Sequence, residues 1–531
     1  MTSRKIRSVL FRAALVLAVA LPVTAQSFRV QCPTSTITHP DPSNTGINNS
    51  EPNYTVPTTL SLITTGPNAA PYLQPTAHVN GAIRCQQISG GDGYATMADG
   101  QQIFMFAFGP LSGLNAISNG LPGTEFPNVF NTIFPGTLVP GDPASTVDAS
   151  GPGSFTYDGA VGLTYDLDSP LGPTTIDGHV DPRQIMDVGV MNGNIPAPLM
   201  AFDEDDEFFL TLTNVGMIMR PDLFEQHTVH FHGYPNASAF YDGVPDASVA
   251  INIGGSFTYY YLAPDAGTYF WHCHITPPEH LQMGMVGQLY VRPRQNRVPA
   301  GSSLYAALQA QQTDLRTACN SAADILCSNP LPASFNTVAR ALTGKYAYND
   351  GDGSTYYDVE YPLQIHGFDP NFHFVGMTFN PEGFVDMKDK YFLLNGRSYP
   401  DTVTPGPLQT ESSDGRSHFS QPLPSIIDMT QGQKALLRIS DLDVSEYQTL
   451  ASLGIRMHVI GFNAKLLRDQ AGNNMDYYTN SITLAGGESL DVILDSTNVP
   501  KGTYYLYTPQ LDHLSNDAEN FGGLMTEVHV N

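Results

Sequence analysis

The residues best equipped for chemistry lie between positions 227 and 285. His227, His230 and His232 share one short segment, and Trp271-His272-Cys273-His274 is followed by His280 and Met285. Two imidazoles, one thiolate and a weak axial thioether are the donor set of a blue-copper site, because soft sulfur and borderline nitrogen suit both Cu(I) and Cu(II). The run Cys-x6-His-x4-Met has the spacing that closes a metal site between two adjacent strands, with His227 arriving from an earlier strand. His227, Cys273, His280 and Met285 are therefore the candidate ligands of a type 1 copper. The pairs His230/His232 and His272/His274 have i, i+2 spacing, which on a strand puts both side chains on one face.

Positioning such groups calls for strands, and the chain reads as two copies of a strand-rich unit. The first runs through Asn192-Gly193, Phe208 to Leu212, Val229 to Gly233, Gly254-Gly255, Gly267-Thr268-Tyr269 and Gly284-Met285 ahead of Leu289-Tyr290-Val291. The second repeats that order at Asn395-Gly396, Ala435 to Ile439, Met457 to Gly461, Gly486-Gly487, Gly502-Thr503-Tyr504 and Gly523-Leu524 ahead of Val528-His529-Val530. Plentiful Gly (48) and Pro (41) with only 14% charged residues favour short strands and turns over helical bundles. The expected fold is all-β, two Greek-key β-sandwiches with an N-terminal extension and a short helical connection. The boundaries are 26–93 for the extension, 94–295 for the first sandwich, 296–355 for the connection and 356–531 for the second. The segment from Ser302 to Cys327 is the best helix candidate.

Residues 1–25 read as a secretory signal peptide: Arg4, Lys5, Arg7 and Arg12, an apolar run from Ala13 to Leu21, then small residues up to Ala25. No other stretch is long and apolar enough to span a membrane, so the expected location is periplasmic or secreted. A formal charge of −26 argues against nucleic acid and anionic membrane surfaces and favours cationic partners. Five cysteines in an exported chain leave one odd thiol. Pairing Cys319 with Cys327 and Cys32 with Cys85 leaves Cys273 free.

His227-Thr-Val-His230-Phe-His232-Gly233 and Trp271-His272-Cys273-His274-Ile275 resemble the copper motifs of the multicopper oxidase family, from about Ala95 to the C-terminus. The resemblance implies two cupredoxin domains and assigns His230, His232, His272 and His274 to a type 2/type 3 copper cluster that reduces dioxygen. The family's usual loop between thiolate and next histidine is two residues shorter. Thr276 to Glu279 is a departure, similar to longer-loop members such as the copper nitrite reductases.

A full cluster in this family takes histidines from two facing domains. Aligning Gly461 with Gly233 puts Ile455, His458 and Ile460 at His227, His230 and His232. Aligning Gly502 with Gly267 puts Tyr507, Thr508 and Pro509 at His272, Cys273 and His274, with Leu524 at Met285 and roughly Glu519 at His280. The second domain thus keeps His458 as its clear equivalent and the candidate catalytic residue, while His366, His373, His418, His513 and His529 read as ordinary surface residues. The facing domain belongs to this chain or to a neighbour in a homotrimer.

Three functions follow as expectations. The first is a multicopper oxidase passing single electrons through Cys273 to an adjacent copper site, with dioxygen as acceptor. The second is a nitrite reductase-like enzyme with a type 2 copper on His232 and His272 beside His458. The third is a blue-copper electron carrier. Glu225, Asp242 and Glu279 form a possible acidic rim near His280, suited to a small reductant, a metal cation or an electron-transfer protein.

Overall fold

The computed structural model describes residues 31–40, 51–131, 191–217, 219–233, 238–263, 265–314, 327–378, 383–411 and 417–531. The expected leader, 1–25, lies outside them. Cys32 and Cys85 form a disulfide and Cys273 is free and buried. Cys327 is disulfide-bonded; its assigned partner, Cys319, lies outside the described residues. Among the described residues no helix is long and apolar enough to cross a membrane.

An N-terminal hairpin, β1 (Thr59–Leu62) and β2 (Leu73–Ala77), precedes the first sandwich. That sandwich is built from β3 (Ile83–Thr96), β4 (Gln102–Pro110), β5 (Met200–Asp203), β6 (Glu207–Gly216), β7 (His230–Phe231), β8 (Ser256–Leu262), β9 (Gly267–His272) and β10 (Val286–Arg292). The strands form two sheets of order β4-β3-β6-β8 and β5-β10-β9-β7. Each sheet contains one parallel pair, β3 with β6 and β5 with β10, as crossing Greek-key connections require. Alternate residues of β6 and β8 (Phe208, Leu210, Leu212; Phe257, Tyr259, Tyr261) fill the core with Phe106, Phe108 and Trp271.

Strand β3 starts at Ile83, inside the segment 26–93 that patterning leaves irregular. Its Gln86, Gln87, Ser89, Gly90, Gly91 and Asp92 carry no apolar alternation, yet the strand is buried along its length. Gly90 is there for a steric reason: a Cβ would approach His227 Cδ2 to 2.5 Å.

The second sandwich repeats this topology. One sheet places Tyr391–Leu394, Val359–Phe368, Lys434–Asp441, Glu488–Asp495 and Met457–Phe462 side by side, and the other has the order Ile427–Met429, Met525–Val530, Gly502–Tyr507, Gln448–Leu453, Ser481–Leu484. The parallel pairs recur, Val359–Phe368 with Lys434–Asp441 and Ile427–Met429 with Met525–Val530. The connection contains a helix over Leu304–Gln311, capped by Ser303 Oγ accepting from Ala306 N–H; this is shorter than the expected 302–327, of which 315–326 lie outside the described residues.

Polar contacts lock the sandwiches together. Ser489 Oγ donates to Thr268 O at 2.8 Å, Thr268 Oγ1 to Asp491 at 2.6 Å, and Gln288 Nε2 to Arg438 O and Ser440 Oγ, both at 2.9 Å. The outer face of β9 and β10 is therefore seated on the second sandwich.

The Cys32–Cys85 bond ties the N-terminal segment to β3 across 53 residues. Cys85→Ser is expected to lower the unfolding free energy by about 2–4 kcal/mol. Denaturant titration under non-reducing conditions measures it, and an unshifted midpoint would show that the bond contributes nothing.

Candidate metal centre

Strand β9 ends in His272, and the chain then turns through Cys273 into a short helix, Pro277–Gln282, before β10. The two ends of this loop are bound to each other: Cys273 N–H donates to Met285 O at 3.1 Å and Met285 N–H to His280 O at 2.9 Å. His227 comes from the segment before β7, bonded in both directions to the backbone of Ile251. Nitrogen and sulfur donors of His227, Cys273 and His280 all lie within 4.8 Å of one another, and all three residues are fully buried. Met285 is buried in the same core cluster as Cys273. Phe106 packs edge-on against His280 with ring centres 5.0 Å apart.

The electrostatics suit a metal. Burial works against a Cys273 thiolate, yet the His280 and His227 rings outweigh it and hold the thiol well below its ordinary range. Burial likewise opposes a charged His280, but the Cys273 thiolate and Glu225 lift it to about 10. His280 Nδ1 lies 3.2 Å from Cys273 Sγ, and Thr228 N–H points at the sulfur from 3.4 Å. Neither ring nitrogen of buried His227 has a well-formed hydrogen bond. An imidazole left so is costly unless a ligand takes its lone pair, and a thiolate with two imidazoles is what copper takes. The residues fit the ion.

One residue back, the chain builds a second group. The donors of His230, His232 and His272 lie within 4.8 Å of one another, because β7 and β9 pair with His230 opposite His272. His274 stands beside them, its ring centre 5.0 Å from that of His230. His230 Nδ1–H donates to Asp242 O and His272 Nδ1–H to Cys273 O, each at 2.7 Å, which directs both Nε2 atoms into the group. Burial depresses His232 to about 4 and His272 to about 3, so both rings are neutral donors at ordinary pH. Their Nε2 atoms meet at 2.8 Å.

His458 does not join them. Its Nε2 sits 2.8 Å from Asp476 Oδ2 and its ring stacks on Tyr478. The reason lies in strand pairing. In the first sandwich β7 pairs with β9, matching His230 to His272; in the second, the strand beside Gly502–Tyr507 is Gln448–Leu453, matching Ala451 to Tyr507. Ala451 and Leu453 therefore stand where His230 and His232 do, and Gln448 where His227 does. Met457–Phe462 pairs in the other sheet, so the shared His-to-Gly pattern that aligns Gly461 with Gly233 is misleading.

The same pairing corrects the partner of His280, which is His513 and not Glu519. Thr508 N–H donates to Leu524 O at 2.9 Å and Leu524 N–H to His513 O at 3.0 Å, reproducing the bonds among Cys273, Met285 and His280. Even the acidic neighbour recurs: Glu446 precedes Gln448 by two residues as Glu225 precedes His227, and its Oε2 lies 2.9 Å from His513 Nε2. This Glu-x-His and Glu-x-Gln spacing was the signal that could have found it. With Gln448 Oε1 on Nδ1 at 2.9 Å, both nitrogens of His513 are partnered. A set of Gln448, Thr508, His513 and Leu524 has no thiolate and does not fit copper.

Of the remaining second-half histidines read as surface residues, His366 and His373 are instead buried in the core, as His513 is, and His529 lies between Asp428 and Glu527; the side chain of His418 is outside the described set. A cavity of about 420 Å³ opens onto His232 and His272, and its far wall is Asp443, Ser445, Glu446 and Tyr447. Among its described lining residues, no histidine comes from the second sandwich. Glu225 Oε2 lies 3.4 Å from His280 Nε2, and Glu225 is partly exposed. Of the rim residues, Glu279 is buried, its carboxyl raised chiefly by that burial, while Asp242 lies beside His230 and not beside His280.

Comparison with known proteins bears on the same stretch. Residues 174–296 match the family model described as multicopper oxidase. A multicopper oxidase of Talaromyces pinophilus is 35% identical over 112 residues, 21% of this chain and 17% of that protein. Laccase-1 of Emericella nidulans is 33% identical over 159 residues, 29% of this chain and 22% of its own length. The matched stretches thus span about a fifth of these relatives. The crystal structure of a blue copper oxidase from Nitrosomonas europaea aligns with 84% of this chain and 86% of its own, at 18% identity and a TM-score of 0.47.

Proposed function

We propose that the chain, whose residues 174–296 match the family model described as multicopper oxidase, is an exported copper-dependent oxidoreductase. It takes single electrons from a reductant beside His280 and delivers them through Cys273 to a second copper site at His230, His232, His272 and His274, with dioxygen as acceptor. One observation carries this reading: Cys273 belongs to one donor group and its neighbour His272 to the other.

Copper, when bound, supplies the one-electron redox chemistry that neither thiolate nor imidazole performs at neutral pH. The chain's own part is geometry. The backbone through His272, Cys273 and His274 is a covalent path between the groups that crosses no solvent. Asp242 O and Cys273 O fix the tautomers of His230 and His272. Glu225 gives the edge of His280 a negative charge that attracts a cationic or hydrogen-donating reductant. A nitrite reductase-like arrangement within one chain has no support from His458, which is held there by Asp476.

Metal analysis and electron paramagnetic resonance on the copper-loaded full chain test the proposal. More than one copper per chain is expected, with a type 1 signal and a second, non-blue one. A single copper with a type 1 signal alone would overturn it and leave an electron carrier. At the donor edge, Glu225→Gln is expected to raise KM for a cationic reductant about three-fold and to weaken its dependence on ionic strength. An unchanged KM would remove Glu225 from reductant binding.

A further inference from the structure

The loop between the thiolate and the last two type 1 candidates does not stand free on the first sandwich. Three consecutive residues between His280 and Met285 are seated on the second one. Leu281 shares a buried apolar cluster with Phe368, Tyr391, Leu393 and Leu442. Gln282 is fully buried and spends its polar groups on the second sandwich: Nε2 donates to Asp389 Oδ1 at 2.8 Å, Oε1 accepts from Asp369 N–H at 3.0 Å, and its backbone oxygen meets His373 Nε2 at 2.8 Å. Met283 is buried in one cluster with Phe372.

We propose that Gln282 is a positioning residue, through which the second sandwich, itself without a thiolate, clamps the loop bearing His280 and Met285 and sets their placement about Cys273. This rests on the reading of His227, Cys273, His280 and Met285 as a type 1 site. A flexible loop would leave the thioether of Met285 free to move, and the placement of such a weak donor would tune a copper held by His227, Cys273 and His280. The clamp is itself held: Ser445 Oγ donates to Asp389 Oδ2. Burial, then Asp443, raises the Asp389 carboxyl well above the usual range, so asparagine is its close stand-in.

The test compares the full-length wild type with Gln282→Ala, Asp389→Ala and Asp389→Asn, with and without copper. In the two alanine variants the amides of residues 276–285 are expected to exchange hydrogen about ten-fold faster, as loss of one or two buried hydrogen bonds implies. Their copper-loaded forms should show an altered intensity ratio of the visible thiolate-to-copper bands, while Asp389→Asn keeps the wild-type behaviour. If Gln282→Ala does not fold, Gln282→Met, which keeps the chain's bulk and removes only the amide, takes its place. Unchanged exchange and band ratio in the alanine variants overturn the clamp. A wild type that binds copper without any blue band overturns the type 1 reading instead, and the exchange rates then still decide whether Gln282 holds the loop.

Discussion

Cys273→Ser is expected to abolish the intense visible absorption of the copper-loaded protein. The band needs a thiolate bound to Cu(II), and Cys273 is free and fully buried, within 4.8 Å of the donor atoms of both His227 and His280. A serine oxygen in that place is harder, shorter in reach and protonated at neutral pH, so the site loses both the colour and most of its copper affinity. Removing a partner that only orients a ligand already costs about 10–100-fold, so turnover should fall by at least ~100-fold when the ligand itself goes. The fold should survive: Thr228 N–H, which points at the sulfur from 3.4 Å, can donate to the new hydroxyl. A variant that keeps the visible spectrum would remove the type 1 assignment, and with it the proposed path to His272.

His232→Ala should produce the opposite division, a retained blue band with loss of the non-blue copper and of oxidase turnover by about 100-fold or more. His232 touches no member of the Cys273 group, whereas its Nε2 lies 2.8 Å from that of His272 at the mouth of the shared cavity. His458→Ala is the informative control. Aligned by pattern it would damage the same site; placed by strand pairing it removes only a partner of Asp476 and Tyr478, and copper content and turnover should stay near wild type. Metal content, electron paramagnetic resonance and oxygen uptake on both variants check the pair. Equal losses in both would return His458 to the site, and an unaffected His232→Ala would show that the histidine group does no redox work.

What was legible in the sequence was whatever one strand, one turn and the next strand decide among themselves. The spacing Cys-x6-His-x4-Met brings Cys273, His280 and Met285 together because β9, a short helix and β10 fold back on each other through bonds between residues close in the chain. The i, i+2 pairs come out on one side, with ring centres 5.0 Å apart for His230 and His232 and 5.7 Å for His272 and His274, although His232 and His274 lie just beyond the ends of β7 and β9. The free thiol followed from cysteine parity, and the two-sandwich plan from repeated turns and runs. The opening strand β3 escaped, since a strand buried on both faces and lined by Gln, Ser and Gly carries no period-two signal. Only the tertiary structure decided which strand of the second sandwich corresponds to β7. Pattern favours Met457–Phe462, but hydrogen bonding across the sheet places Gln448–Leu453 there, so His513 answers to His280 and His458 to no ligand. The physical reason is that pairing between strands far apart in the chain depends on which edges are free once both sheets are packed, and its one local trace is the shared spacing of Glu225-x-His227 and Glu446-x-Gln448. For the same reason the seating of Leu281, Gln282 and Met283 on the second sandwich was invisible until Asp369, His373 and Asp389, some ninety residues or more along the chain, were brought beside them.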